Sequence, residues 1–361
     1  MTKHVTTREI ARLLKLHHST VSLALRDSPL LKTETKKKIQ EAARKLGYKP
    51  DPMLSALSAY RLSKRPAPFH AVIAWVNNWP VREALLANPV YRGYYEGACQ
   101  CAKKLGYDMQ EFWMYEPGMT PRKLETILKA RNIQGMLLPP QRAAGIHLDI
   151  DFTDFFVVTF GYSRHPQNLH LITNNHAQTM DLILSKLVEL GYRRPAYCIS
   201  PSADAGNNYI WLTRMLCLTE RYPQLCQIPR PPLDTKKLAK WIDKQQPDVL
   251  IAYSDSLVEI ESLGYKVPQD LGFASLATYP HNSHISGADQ NDFLIGQTAV
   301  NVLVGMINHQ ERGVPQVPIR TMVDSVWFPG ETLRPQPSPP SSIPAKRGVA
   351  SRSSQTAHSK R

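Results

Sequence analysis

Cysteine is scarce in this chain. Its 361 residues hold five, at Cys99, Cys101, Cys198, Cys217 and Cys226, and no two form a C-x-x-C pair. An odd count without a framework reads as reduced thiols, which fits a cytoplasmic protein. Long apolar runs are missing too: none approaches the roughly 20 residues that a membrane helix needs. The N-terminus is charged from Lys3 and shows no apolar leader segment. The expectation is a cytoplasmic protein with no membrane partner. Catalytic signatures are also absent. There is no G-x-S-x-G, no H-E-x-x-H and no G-x-x-x-x-G-K-[ST]. Nothing therefore points to an enzyme, a cofactor or a metal. His281 and His284 lie near Asp289 and Asp292 in "YPHNSHISGADQND", but that segment reads as a polar loop.

Acidic residues are few at both ends. Residues 1–65 hold 15 Lys and Arg against 5 Asp and Glu, and residues 335–361 hold 5 against none. The formal net charge of +14 thus sits on a head and a tail, and residues 66–334 are close to neutral. A basic head of this size is the electrostatic footprint of phosphate-backbone binding. A solvated face kept for solubility would account for the charge, but not for the helical unit that carries it.

That unit begins at "VTTREIARLL". Thr6 followed by Glu9 has the spacing of a capping box, and Ile10, Ala11, Leu13 and Leu14 make an apolar face. Lys15-Leu16-His17 is a short turn. A second helix runs from about His18 to Arg26, with Val21, Ala24 and Leu25 facing inward. Thr33-Glu34 starts a third helix, lined by Ile39, Ala42, Ala43 and Leu46 and stopped by Gly47. Three short helices with a tight turn between the first two predict a helix-turn-helix unit over 1–49. In such a unit the second helix enters the major groove. His18, Ser19, Ser22, Leu23 and Arg26 face outward there, with Thr6, Thr7, Arg8 and Thr20 beside them. Next, Pro50 and Pro52 precede Met53, Leu54, Ala56 and Leu57 at helical spacing for only two turns. A helix that short is marginal alone. Residues 50–65 read as a hinge helix and linker that orders against a second copy or against DNA, where a leucine wedge such as Leu57 can enter the minor groove.

The stretch "VTTREIARLLKLHHSTVSLALRDSPLLKTETKKKIQEAARKLGYKPDPMLSAL" (5–57) resembles the head and hinge of the LacI/GalR family of bacterial transcription regulators. The matching features include Val5-Thr6, Ile10-Ala11, Thr20-Val21-Ser22, Thr33-x-Thr35, Ala42-Ala43, Leu46-Gly47-Tyr48, Pro50 and Leu57. The resemblance implies His18, Ser19 and Leu23 as base readers and Leu57 as the minor-groove lever. The chain departs from the family at Lys15 (a turn glycine there), His17 (a cap serine) and Leu23 (commonly arginine). A left-handed backbone at Lys15 would cost roughly 1 kcal/mol.

In 66–334 apolar runs alternate with helical patterns, as in "AVIAWV", "IQGMLLPP" and "FFVVTFGY". Alternation of this kind predicts doubly wound parallel sheets. The rhythm restarts after about Ser163, which predicts two α/β lobes with a ligand cleft between them. "ELGYRRPAYC", "PDVLIAYSD", "GYKVPQDLGFASL" and "DQNDFLIGQTAVNVLV" resemble the effector domain of the same family, which is similar to periplasmic sugar-binding proteins. That resemblance implies a small-molecule effector and a homodimer made along the body. The family's effector-gripping arginine falls on Asn207 and its aspartate on Ala277. Trp79, Tyr91, Trp211, Asp255 and Gln290 join Asn207 as cleft candidates, suited to a sugar or a nucleoside-like ligand. The Pro- and Ser-rich tail, 335–361, cannot bury enough surface to fold and reads as disordered.

The resulting expectation is a dimeric, effector-responsive transcription regulator, a repressor by preference, on a pseudo-palindromic operator in double-stranded DNA. A cytoplasmic small-molecule binder that uses only the body is the alternative.

Overall fold

The computed structural model describes residues 5–25, 31, 33–48, 71–142, 148–164, 166, 168–232, 234–279 and 284–337. The 50–65 hinge with Leu57, Arg26, His281 and the tail from residue 338 lie outside them.

The head is built from α1 (Thr7–Leu14), α2 (His18–Leu25) and α3 (Thr33–Lys45). The capping box is formed: the Thr6 hydroxyl accepts from the Glu9 N–H, and Glu9 Oε2 accepts from the Thr6 N–H at 2.8 Å. Lys15 closes α1 in the left-handed conformation, at φ 54°, while the Leu16 N–H reaches back to the Ala11 carbonyl. That is the bond a glycine usually permits at a helix end. Gly47, at φ +68°, closes α3 in the same way. Ile10, Ala11, Val21, Ala24, Ile39 and Ala43 are buried together between the three helices. Two apolar positions differ from expectation. Leu13 is 62% exposed, because at 3.6 residues per turn it lies across the helix from Ala11. Leu46 is also exposed, because it follows the last turn of α3 and swings outward.

The first lobe holds β1 (Ala71–Asn77), α4 (Ala84–Ala87), α5 (Pro89–Lys104), β2 (Tyr107–Trp113), α6 (Pro121–Ala130), β3 (Gly135–Leu138), β4 (Phe156–Phe160) and β5 (His170–Asn174). The second holds α7 (His176–Glu189), β6 (Pro195–Tyr197), α8 (Pro201–Gly206), α9 (Ile210–Leu216), α10 (Leu218–Arg221), α11 (Thr235–Gln245), β7 (Val249–Ala252), α12 (Ser256–Ser262), β8 (Gly272–Ser275) and β9 (Gly287–Asp289). The chain then returns to the first lobe with α13 (Asp292–His309) and β10 (Arg320–Val323), and ends in the second with β11 (Val326–Phe328).

The first sheet is parallel throughout, in the order β10-β5-β4-β3-β1-β2. Both of its faces are covered. Ile73 and Trp75 of β1 pack under α5 and α13, while Ala74 and Val76 face α6. This is why "AVIAWV" is apolar without alternation. The second sheet runs β11-β9-β8-β7-β6, with only β11 antiparallel.

Two lobes are present, but they are not successive. The break expected after Ser163 is corrected: β5 still belongs to the first sheet, and the chain passes between lobes three times, at 174–176, 289–292 and 323–326. Sequence rhythm does not reveal such returns, because β10 and β11 are short and pair with strands more than a hundred and about forty residues away respectively.

Candidate nucleic-acid interface and interlobe cleft

The head presents the start of α2 to solvent. His17 and His18 are exposed, with ring centroids 4.5 Å apart, and Arg8 and Arg12 of α1 are exposed as well. Thr7, Thr20 and Leu23 are half-buried. Thr6 is exposed, but its hydroxyl already serves the α1 cap. Ser19 and Ser22 fall within α2. Lys37, Lys38, Arg44 and Lys45 add exposed cations along α3. A compact three-helix unit therefore carries one short helix that buries Val21 and Ala24 and leaves His18 exposed at its start, with exposed cations on the other two helices. Phosphate contacts would position such a surface, and the residues at the start of α2 would read base edges.

In the body, a cavity of about 460 Å³ opens between the lobes. Its first-lobe wall comes from Asn88–Tyr91 and Tyr94 at the start of α5, from Pro140–Arg142, and from Gly161–Ser163 and Thr173. Its second-lobe wall comes from His176, from Ser202, Ala203, Gly206 and Asn207 around α8, and from Trp211, Tyr253, Asp255, Ser256, Tyr279 and Gln290. These segments follow the carboxyl ends of strands, where doubly wound sheets bind ligands.

Five of the six expected effector residues line the cavity: Tyr91, Asn207, Trp211, Asp255 and Gln290. Asn207 closes α8 and donates through Nδ2 to the Ala203 carbonyl and, at 3.3 Å, to the Tyr253 hydroxyl. Gln290 is buried and donates to the Leu276 carbonyl. Trp79 is not among the residues that line the cavity. Its indole N–H is spent on the Pro140 carbonyl at 2.8 Å, and its ring meets Tyr91 edge-on. Ala277 is buried under the wall and offers no side-chain polar group.

Sequence reasoning missed His176, Arg142, Tyr94, Tyr253 and Tyr279. His176 opens α7, directly after the Asn175 cap. It is 6% exposed, its ring meets Trp211 edge-on at 4.9 Å, and its Nε2 lies 3.5 Å from the Thr173 hydroxyl. Burial pushes its pKa down to about 4, so the ring is neutral at pH 7. His176 Nδ1 and the Trp211 indole nitrogen are buried with no hydrogen-bond partner among the described residues. Burial, reinforced by the Asp292 charge, raises the Tyr91 phenol to about 12, and the same two causes raise Tyr94 and Tyr279. Among the described residues, Arg142 and Asp255 are the lining side chains of the Arg, Lys, Asp and Glu types, and both are exposed. The interior is thus aromatic and uncharged, with amide, hydroxyl and imidazole groups for hydrogen bonds. It suits an uncharged ring with polar substituents better than an anion.

α8 is held by a buried charge network. Asp204, fully buried, accepts from the Tyr197 hydroxyl and pairs with Arg230, which also bonds the Ile199 carbonyl. Among the described residues no group of His, Cys, Asp and Glu has metal-binding geometry, and no helix is long and apolar enough to cross a membrane.

Comparison with known proteins bears on both parts. Residues 6–51 match a family model described as "Bacterial regulatory proteins, lacI family". Over 47 residues the chain is 51% identical to the probable HTH-type transcriptional repressor ExuR of Bacillus subtilis (strain 168). That stretch is 13% of this chain and spans only 14% of the relative's length. Among solved structures, the chain is similar to the transcriptional regulator CelR in its cellobiose complex (17% identity, TM-score 0.52, covering 91% of this chain and 100% of that one). It is likewise similar to the Lac repressor bound to ONPG in the repressed state (16% identity, TM-score 0.53, covering 92% and 100%). At these identities the likeness establishes the fold: a helix-turn-helix head on a two-lobed, periplasmic-binding-protein-like body.

Proposed function

Taking residues 6–51 as a domain of the lacI family of bacterial regulatory proteins, we propose that the chain is a DNA-binding transcription regulator. It works as a homodimeric repressor on a pseudo-palindromic operator and responds to a small uncharged effector in the interlobe cleft. The observation that carries this reading is the union, in one chain, of a helix-turn-helix head whose second helix starts at an exposed His18 and a two-lobed body with a cavity between the lobes.

In mechanism, exposed cations on α1 and α3 neutralise phosphates and set the register, while His18, Ser19, Ser22 and Leu23 of α2 meet base edges. Two heads on one dimer read half-sites about one helical turn apart. Leu57 wedges the centre of the site from the minor groove. The effector binds the aromatic interior. The Trp211 indole N–H and His176 Nδ1 supply polar groups that have no hydrogen-bond partner among the described residues, and Tyr91, Tyr94 and Tyr253 supply ring faces. A sugar or a nucleoside-like compound has this character, and the solved relatives include complexes with cellobiose and ONPG. Occupancy changes the angle between the lobes and hence the spacing of the heads, a coupling typically worth about 1–3 kcal/mol.

Selection of bound sites from random double-stranded DNA tests the reading. Enrichment of a two-fold symmetric site is expected, and recovery of unselected sequence would refute it. A thermal-shift screen of uncharged sugars and nucleosides tests the cleft: a bound compound raises the melting temperature and is not consumed.

A further inference from the structure

The first and third passages between the lobes are fastened to each other by buried polar side chains. Asn174 ends β5, Thr179 sits in the first turn of α7, and Ser325 lies between β10 and β11; all three are buried. Asn174 Nδ2 donates to Ser325 Oγ at 2.8 Å, and Thr179 Oγ1 donates to Asn174 Oδ1 at 2.6 Å. The Thr179 and Ser325 hydroxyl oxygens are 2.7 Å apart. Each hydroxyl has a single proton. Once Thr179 gives its proton to Asn174, the proton between the two hydroxyls must come from Ser325. The three side chains then form a closed ring in which every member both donates and accepts, an arrangement that polarises and strengthens each bond.

Around the ring the backbones are tied as well. Gln178 holds both the N–H and the carbonyl of Ser325, at 2.9 and 3.0 Å. Asn291, from the second passage, donates to the Asp324 carbonyl at 2.8 Å, and Asn175 donates to the Asp324 carboxylate. The passages are thus one hydrogen-bonded unit.

The first passage has a second face. Thr173 and His176, on either side of Asn174 and Asn175, line the cavity. His176 touches Trp211 of the second lobe and lies against Thr173 of the first. Its Nδ1 is buried and unpartnered among the described residues.

We infer that the Asn174–Thr179–Ser325 ring is the clasp that sets the angle between the lobes, and that His176 is the positioning residue through which cleft occupancy acts on it. A ligand group that bonds His176 displaces the imidazole relative to Thr173 and Trp211. The adjacent Asn174 and Thr179 then shift against Ser325, and the ring transmits the shift to the third passage. The clasp is a property of the fold. Its use as a switch rests on the regulator reading above.

Amide hydrogen exchange on the full chain tests the inference without a ligand. Ser325→Ala opens the ring, and exchange should rise together in 174–180 and 323–326, by about tenfold. Amides of 73–76 and 249–252, in the two sheets, should keep their rates. Ser325→Thr, which retains the hydroxyl, should restore the wild-type pattern. If Ser325→Ala does not fold, Thr179→Val carries the same measurement. Acceleration confined to 323–326, or spread equally through both sheets, overturns the clasp. His176→Phe keeps the ring shape and removes both nitrogens. It should change exchange in 323–326 by about threefold or more, although no hydrogen bond of His176 reaches that segment. Unchanged rates there overturn the role given to His176. Operator selection by the same proteins is read separately. Coupled exchange in a chain that selects no DNA sequence would refute the regulator reading and leave the clasp standing.

Discussion

His176 gives the most direct quantitative prediction. Its ring is buried against Trp211, and burial depresses its pKa from 6.5 to about 4. The folded chain therefore resists protonation that the unfolded chain accepts. A depressed histidine pKa contributes stability that is complete above the unfolded value and is lost as pH falls from about 6.5 toward 4. Each pK unit is worth about 1.4 kcal/mol, so the two-and-a-half-unit gap amounts to about 3 kcal/mol in all, of which about 2 kcal/mol is lost between pH 7 and pH 5. Other groups titrate in the acid range. His170, also lowered by burial, acts in the same direction. Asp292 acts oppositely: burial, and then the Asp289 charge, raise its carboxyl, so its contribution is lost as pH rises. The comparison is therefore between wild type and His176→Phe, which leaves those groups in place. Urea unfolding at pH 7, 6 and 5 measures it. The variant should lose about 2 kcal/mol less than wild type over that range. Equal losses in both proteins would refute a neutral, buried His176.

Other expectations follow from particular contacts. A Cβ at Gly97 would sit 2.0 Å from the Phe293 carbonyl oxygen, and one at Gly296 equally close to that of Tyr94; Gly97→Ala should therefore push α5 and α13 apart and cost about 2 kcal/mol or more in chemical denaturation, and an unchanged midpoint would show that the helices do not cross this closely. Arg230→Met strands the fully buried Asp204 carboxylate. The loss should be about 2 kcal/mol, at the low end for a broken buried pair because Arg230 is one-third exposed, and wild-type stability would refute the network. Thr6→Ala removes the hydroxyl half of the α1 cap and should cost about 1 kcal/mol, seen as roughly fivefold faster amide exchange over residues 7–14; equal rates would deny the cap a role. Replacing Arg8, exposed at the start of α1, with alanine should weaken DNA binding across sequences and lower the salt slope by about 1, so an unchanged slope would remove Arg8 from the phosphate contacts.

Local chemistry determined a good deal of this protein. The Thr6–Glu9 cap, the inward stripe of Ile10 and Ala11, the stop at Gly47 and the unbroken apolar run of β1 each depend on residues within one or two turns or one strand, so a reading of the chain finds them. The basic head could be placed for the same reason, since its charge and its helices occupy the same fifty residues. What only the tertiary structure decided is non-local. The return of α13 and β10 to the first lobe pairs Arg320–Val323 with Leu171–Asn174 across about 150 residues. No periodicity encodes that pairing, because it depends on which sheet edge remains open after the chain has crossed. The cleft has the same origin. Tyr91 and Asn207 were legible through the family resemblance, but His176 beside Trp211, and Asn174 beside Ser325, become neighbours only once the lobes have closed on three shared passages.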